Sequence, residues 1–512
     1  MTARRLSLVA SLLACLALAG AAQAQVPAKS KPPVEGQTSV KPPTAAAEPV
    51  TADEARTADS KRRASAQVAE TRRQRRARQR AERRARRATA RALAKARDRQ
   101  AISLADYTRY RRLVSRARST HRRLRDARKR ELGAVIALVD GMALRRQLTA
   151  SRMPAVFLIL RRNTQYWPRM PFPANRDRVT FRGSRLTFEY YAGNGLQLQP
   201  LVNFKEANLM HGACVKDTGV PCDRAGLARL LDELIATSAR RGGFLTWEYY
   251  FYFGGGRPPW ISGMAQATAI QALGRASQLL DDRRYLETAR AAFGAFTTPP
   301  PAGVRTVGPF GGVHYLQYSF APRLYIINAF LQSLIGLYDY AAATGDATAR
   351  RLFLEAEPEA HRELPANDVG DWSTYSYRGA ESTREYHELL RELAASLCSR
   401  LRADVYCDTA RAFLAYTTEP AEIELLGPAT VTKGVPAQVR FSLSKLSAVQ
   451  VTITRDGRVA FDKLGTFRRG EGAFTWTPRA AGVYRIRVAA KELRTGQGLR
   501  SSVTGVAESF AP

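Results

Sequence analysis

Acid, histidine and cysteine are scarce in this sequence, and several common catalytic signatures are missing altogether. Its 512 residues hold 45 Asp and Glu against 80 Lys and Arg, a formal net charge of +35. The five histidines, His121, His211, His314, His361 and His387, form no ligand cluster with the cysteines, which argues against a zinc site. The spacings GxSxG, HExxH, the P-loop and GxGxxG do not occur, which removes the usual signatures of serine hydrolases, zinc proteases, P-loop NTPases and dinucleotide enzymes. Glycines 254–256 are followed by Arg257-Pro258-Pro259, a flexible turn rather than a phosphate cradle. Beyond the N-terminal region, no apolar stretch is long enough to span a bilayer.

The first residues do carry an address. Arg4 and Arg5 precede an apolar run that ends in the small residues Ala22 and Ala24, the pattern of a signal peptide over 1–24 cleaved after Ala24. Cys15 lies inside the apolar run, not at its end, so lipid attachment is not expected. The mature protein is therefore expected outside the cytoplasm, secreted or associated with a cell wall. In such an oxidising compartment the remaining cysteines fall into two local pairs, and the expectation is two disulfides, Cys214 with Cys222 and Cys398 with Cys407.

Composition divides the rest. Residues 25–51 are rich in Pro, Ala and Thr and read as a disordered linker. Residues 52–131 are a basic low-complexity segment with strong helix formers and few apolar residues; basic groups exceed acidic ones there by roughly 20. This segment reads either as a tether for an anionic wall or surface polymer or as a passive solvated helix, with nucleic acid disfavoured by the export signal. Residues 132–419 turn globular. Strand-like alternation over 178–200 gives way to successive helix pairs, the pattern of an α/α toroid, an incomplete barrel whose loops gather around one concave face. Residues 420–512 alternate with period two, and Asp456-Gly457 marks a hairpin, so an immunoglobulin-like β-sandwich is expected at the C-terminus.

One stretch stands out inside the helical region, DVGDWSTYSYRGAESTREYHELL over 368–390. It places Tyr375 and Arg378 in a loop, and Tyr386 and His387 on a helix start that Ser382 and Thr383 can cap. By itself it reads first as packing aromatics with Arg378 a surface charge. Together with PWISGMAQATAIQAL over 259–273 and NAFLQSLIGLYDY over 328–340, however, it resembles the C-terminal domain of D-glucuronyl C5-epimerases, over roughly 194–417.

That resemblance implies proton abstraction and return at C5 of a uronate within an acidic polysaccharide, without a redox cofactor. It implies Tyr375, Tyr386 and Tyr318 as catalytic residues, with Arg378, His387, Asn328 and Gln317 binding substrate. Removing a proton beside a carboxylate builds negative charge that a guanidinium can stabilise, and inversion needs an acid and a base on opposite faces of the ring. Gln317 stands where the family has an acid, and Gly379 where it has a histidine. Glu248, in TWEYYFYF beside Trp247, is the candidate replacement or part of a substrate wall; a paired structural glutamate is the alternative. A lyase with the same proton abstraction and a non-catalytic glycan-binding protein remain open. A structural calcium ion is compatible with the chain, although no loop specifies one.

Overall fold

The structure is a computed structural model and describes residues 72–512. The expected signal peptide, the linker and the first part of the basic segment lie outside the described residues. The chain forms two compact units, the first ending at Val304 but including Tyr318–Ala321, the second comprising Arg305–Gln317 and Pro322–Pro512. The division thus falls within the expected helical domain and not at 131/132 or 419/420.

The first unit begins with α1 (Arg72–Asp98), α2 (Leu104–Arg123), α3 (Asp126–Leu144) and α4 (Met153–Tyr166). The described part of the basic segment is therefore helical, and its inner face packs instead of standing free in solvent. Ala88, Thr89, Leu93 and Ala96 of α1 are buried, as are Tyr110 and Ala117 of α2. Full burial of Leu93 alone is worth about 1.5–3 kcal/mol. The Thr89 hydroxyl donates to Asp140 over 2.6 Å, and Arg118 holds the same carboxylate at 2.7 Å.

A small antiparallel sheet follows, β1 (Arg178–Thr180), β2 (Thr187–Tyr191) and β3 (Gly195–Leu198), in that order across the sheet. Helices α5 (Pro200–Val215) and α6 (Arg224–Ala236) lead to the hairpin β4 (Ala239–Arg241) and β5 (Phe244–Thr246). Helix α6 stops at Ala236, and the chain just beyond it pairs as β4. Helices α7 (Gly263–Leu279), α8 (Arg283–Ala291) and α9 (Gly294–Thr297) complete the unit. Ser262 caps α7 by accepting from the Ala265 N–H, and almost every α7 residue up to Ala276 is buried, so it serves as a central helix. Cys214 and Cys222 are disulfide-bonded.

The second unit opens with the hairpin β6 (Arg305–Val307) and β7 (Val313–Tyr315). Two helix pairs follow, α10 (Ile327–Thr344) with α11 (Ala347–Glu363), and α12 (Arg384–Leu401) with α13 (Asp404–Thr418). Cys398–Cys407 staples the second pair. Helix α11 runs through Pro358 and ends at Glu363. Its glutamates explain why. Spaced one turn apart on one face, they grip the hairpin along its length: Glu355 takes Arg305 at 2.7 Å, Glu359 accepts the Phe310 and Gly312 N–H groups at 2.8 and 2.7 Å, and Glu363 meets His314 Nδ1 at 2.9 Å.

The C-terminal β region contains strands β8 (Ile423–Gly427), β9 (Thr430–Thr432), β10 (Ala437–Leu443), β11 (Ser447–Arg455), β12 (Arg458–Phe467), β13 (Gly470–Trp476), β14 (Gly482–Glu492) and β15 (Arg500–Phe510). One sheet has the order β13-β10-β8, the other β12-β11-β14-β15-β9, with β9 parallel to β15. Val439, Phe441 and Trp476 from the first sheet share a core with Val451, Ile453, Tyr484 and Ile486 from the second. Asp456 (φ 48°) and Gly457 (φ 74°) both take positive φ at the β11–β12 turn, which is what an Asp-Gly pair provides in a two-residue hairpin.

Candidate functional site

The stretch 368–390 folds as a tight hairpin leading into α12. Ser373 and Ser382 face each other through Ser382 N–H to Ser373 O at 2.8 Å, and Tyr375 N–H reaches Ala380 O at 2.9 Å. Between them Ser376–Gly379 closes the turn through Gly379 N–H to Ser376 O, with Arg378 at φ 54°. Positive φ at the third residue is the mark of a type II turn, normally filled by glycine or asparagine. An arginine there carries strain of about 1–2 kcal/mol, and its side chain is left exposed at the tip.

The hairpin is tied down on several sides. Thr374 N–H donates to Asn367 O at 2.8 Å, and Asn367 Nδ2 donates to Glu363 O, which joins the hairpin to the end of α11. Tyr377 N–H donates to Tyr325 O, and the Phe310 ring at the tip of the β6–β7 hairpin packs edge-on to Tyr377 with centroids 5.6 Å apart. The Arg378 guanidinium lies 5.2 Å from the Tyr377 ring centre, a cation–π contact.

Half-buried Tyr375 meets half-buried Tyr386, on the first turn of α12, edge to face with centroids 4.9 Å apart. Asn328, on the first turn of α10, donates from Nδ2 to Tyr386 O at 3.3 Å, while its buried Oδ1 has no hydrogen-bond partner. The second unit therefore brings Tyr375, Tyr386 and Asn328 together, with Arg378 on the same hairpin. Gln317 follows β7 in the same unit and is half-buried.

His387 is placed otherwise than a ligand-binding group needs. Fully buried, it stacks on Trp372 at 3.8 Å with the rings within 8° of parallel. A carbonyl can only accept, so the contact of Nε2 with Phe413 O at 3.1 Å puts the proton on Nε2, and Nδ1 then accepts from the Ser373 hydroxyl at 2.9 Å. Burial pushes its pKa down to about 4, leaving a neutral, satisfied ring that braces the hairpin from below.

Three candidates belong to the first unit. Glu248 is buried and saturated: Arg152 binds it through two nitrogens at 2.7 and 2.9 Å, Arg241 at 2.8 Å, and the Tyr250 hydroxyl at 3.1 Å. This is the paired structural glutamate. Trp247, 1% exposed, donates its indole N–H to Leu234 O and packs on Phe204, so it forms core and not an open substrate wall. Tyr318 lies in an aromatic cluster, 5.2 Å from Phe320 and 5.7 Å from both Phe253 and Trp260.

Sequence reasoning missed the groups that hold the hairpin from the β region. Arg494, 9% exposed, binds Asp371 through 3.1 Å contacts and Glu381 at 2.6 Å. The Leu446 N–H donates to Asp371 at 2.9 Å, and Arg384 donates to Thr495 O at 2.7 Å. Hydrogen bonding from Arg494 pulls the Glu381 carboxyl below its usual pKa, whereas burial raises that of Asp368. Among the described residues no group of His, Cys, Asp and Glu is arranged to hold a metal ion, and no helix is long and apolar enough to cross a membrane.

Together these features define a helical domain that presents a tyrosine- and arginine-bearing hairpin, joined to a β region. Residues 241–414, which carry the hairpin, match the family described as D-glucuronyl C5-epimerase C-terminus. Similarity extends to an uncharacterized protein of Methanocaldococcus jannaschii, 27% identical over 169 residues, 32% of this chain and 55% of that one. A D-glucuronyl C5-epimerase of Caenorhabditis elegans is 32% identical over 133 residues, 24% of this chain and 22% of that protein. The match thus spans about half of the archaeal relative and about a fifth of the nematode enzyme. Among solved structures, a GH76 alpha-mannanase of Bacteroides thetaiotaomicron aligns over 47% of this chain and 66% of its own, with 12% identity and a TM-score of 0.35.

Proposed function

We propose that this protein is an exported C5-epimerase acting on glucuronate units of an acidic polysaccharide. The observation that carries the reading is the hairpin itself, which sets Tyr375 against Tyr386 at 4.9 Å and holds Arg378 at its exposed tip. In this reading Arg378 pairs with the uronate carboxylate and stabilises the enediolate formed when the C5 proton leaves. One phenol takes that proton as phenolate, and a second acid returns a proton to the opposite face. Tyr375 and Tyr386 are the residues assigned to proton transfer; Asn328, whose Nδ2 donates to Tyr386 O, positions the first turn of α12 that carries Tyr386.

The helix pairs are read as part of an α/α toroid and the β region as an immunoglobulin-like sandwich. Supporting the latter are the parallel β9–β15 pairing and Tyr484, whose hydroxyl donates to Ala480 O four residues upstream, as in a tyrosine corner. Export, with a basic segment held to an anionic surface polymer, belongs to the same reading.

The test is incubation of uronate polymers in heavy water. Deuterium at C5 with the chain intact supports the epimerase, and Tyr386→Phe and Arg378→Ala each abolish incorporation. Cleavage to an unsaturated sugar would replace it with a lyase. Gln317, where the resemblance calls for an acid, favours the second reading, a glycan-binding protein without turnover, which binding without incorporation would establish.

A further inference from the structure

Among the described residues, helix α1 pairs both of its acids and leaves a row of arginines unmatched. The two acids of the helix, Glu82 and Asp98, each have arginine partners: Glu82 sits 3.8 Å from both Arg78 and Arg86, and Asp98 pairs with Arg97 at 2.6 Å. Arg80, Arg83, Arg84, Arg87 and Arg91 make no ion pair among the described residues, and together they line an open cleft of about 350 Å³. At 3.6 residues per turn, Arg80, Arg84, Arg87 and Arg91 fall in one stripe running about 16 Å along the helix. That stripe lies opposite Thr89, Leu93 and Ala96, which dock α1 onto its own unit, so the arginines are aimed at solvent by a packed element.

Like charges at i,i+3 and i,i+4 destabilise a helix and concentrate a positive field along one side. Guanidinium groups also offer planar forks suited to carboxylate and sulfate oxygens, which lysine cannot match. The helix contains no aromatic residue on which nucleobases could stack. We infer that the Arg80–Arg84–Arg87–Arg91 stripe is a binding site for an acidic polysaccharide, separate from the Tyr375–Tyr386 hairpin. The choice of a sugar-acid polymer over other polyanions rests on the epimerase reading; the presence of a polyanion site does not.

The test uses the mature chain and two variants with equal loss of charge, R84Q/R87Q on the stripe and R78Q/R86Q on the acid-paired side. Affinity is measured by calorimetry at fixed salt for alginate, which carries carboxylates alone, for heparin, which adds sulfates, and for double-stranded DNA of mixed sequence. Helical content by circular dichroism accompanies each variant. R84Q/R87Q is expected to weaken binding of at least one of the two polysaccharides about tenfold or more, and R78Q/R86Q by much less. Alginate and heparin then report whether carboxylate suffices or sulfate is required.

Equal weakening by the two variants would reduce the stripe to net charge and overturn the site, as would absence of polysaccharide binding. Tighter binding of DNA than of either polysaccharide would overturn the ligand class. C5 exchange on short oligosaccharides is measured in parallel and is expected to be unchanged in R84Q/R87Q. Stripe-dependent binding without any C5 exchange leaves the site standing while the epimerase reading falls, and exchange without stripe-dependent binding does the reverse.

Discussion

Arg494 of β14's trailing loop and Asp371 of the hairpin stretch, 123 residues apart, form a buried ion pair with contacts of 3.1 Å, and neither is more than 9% exposed. The guanidinium extends to Glu381 at 2.6 Å, so a single side chain from the β region fixes both arms of the hairpin. Removing one partner of such a pair leaves a buried charge uncompensated. Arg494→Ala is expected to destabilise the protein by about 3–5 kcal/mol. Arg494→Lys, which keeps charge but loses the fork, should cost less. Urea unfolding of both variants checks this, and a loss of less than about 1 kcal/mol for the alanine variant would show that the hairpin does not depend on the β region.

Long separation is also why this pair was not legible in the sequence. What could be read were features settled within a few residues: the cysteine pairs, the Asp456-Gly457 turn, and the start of α12 near Thr383. Tyr375, Arg378 and Tyr386 were found through the wording of their stretch, and the structure adds that two of them touch. Proline usually ends a helix, and Pro358 does not. Here α11 continues to Glu363, since Glu359 and Glu363 lock the following turn against the β6–β7 hairpin. His387 and Glu248 carry chemistry that suits a site, but a sequence cannot report that Phe413 O, Ser373, Arg152 and Arg241 already occupy their polar atoms.

Neutral, buried His387 makes stability depend on pH. Its folded pKa of about 4 lies below the unfolded value of about 6.5, so the unfolded chain binds the extra proton first as pH falls. The contribution is therefore complete above pH 6.5 or so and is lost progressively down to about 4, amounting to roughly 3–3.5 kcal/mol in all. Melting temperatures across that window should fall with pH in the wild type. In His387→Gln the same titration should be flatter, from a lower starting stability; parallel curves would show that another group controls the slope.

Glu359 tests the hold of α11 on the β6–β7 hairpin. Its carboxylate is fully buried and accepts two backbone N–H groups, and Gly308 packs so close that an added Cβ would lie 2.2 Å from Glu359 Oε1. Glu359→Ala strands both donors, at a cost of about 2–4 kcal/mol. Hydrogen exchange should accelerate at the Phe310 and Gly312 amides before it does in α10. Unchanged protection at those two amides would mean that the hairpin is held by its own pairing.

Arg378 separates backbone need from charge. At φ 54° the turn prefers glycine, so Arg378→Gly relieves the left-handed strain and is expected to leave the protein as stable as the wild type or more stable by up to about 1 kcal/mol. It also removes the cation–π contact with Tyr377 and the guanidinium that the hairpin carries at its tip. If the arginine is kept there for the uronate carboxylate, Arg378→Gly loses C5 deuterium incorporation while melting no lower. Retained incorporation would free the residue from the reaction, and a lower melting temperature would show that Arg378 stabilises the turn it strains.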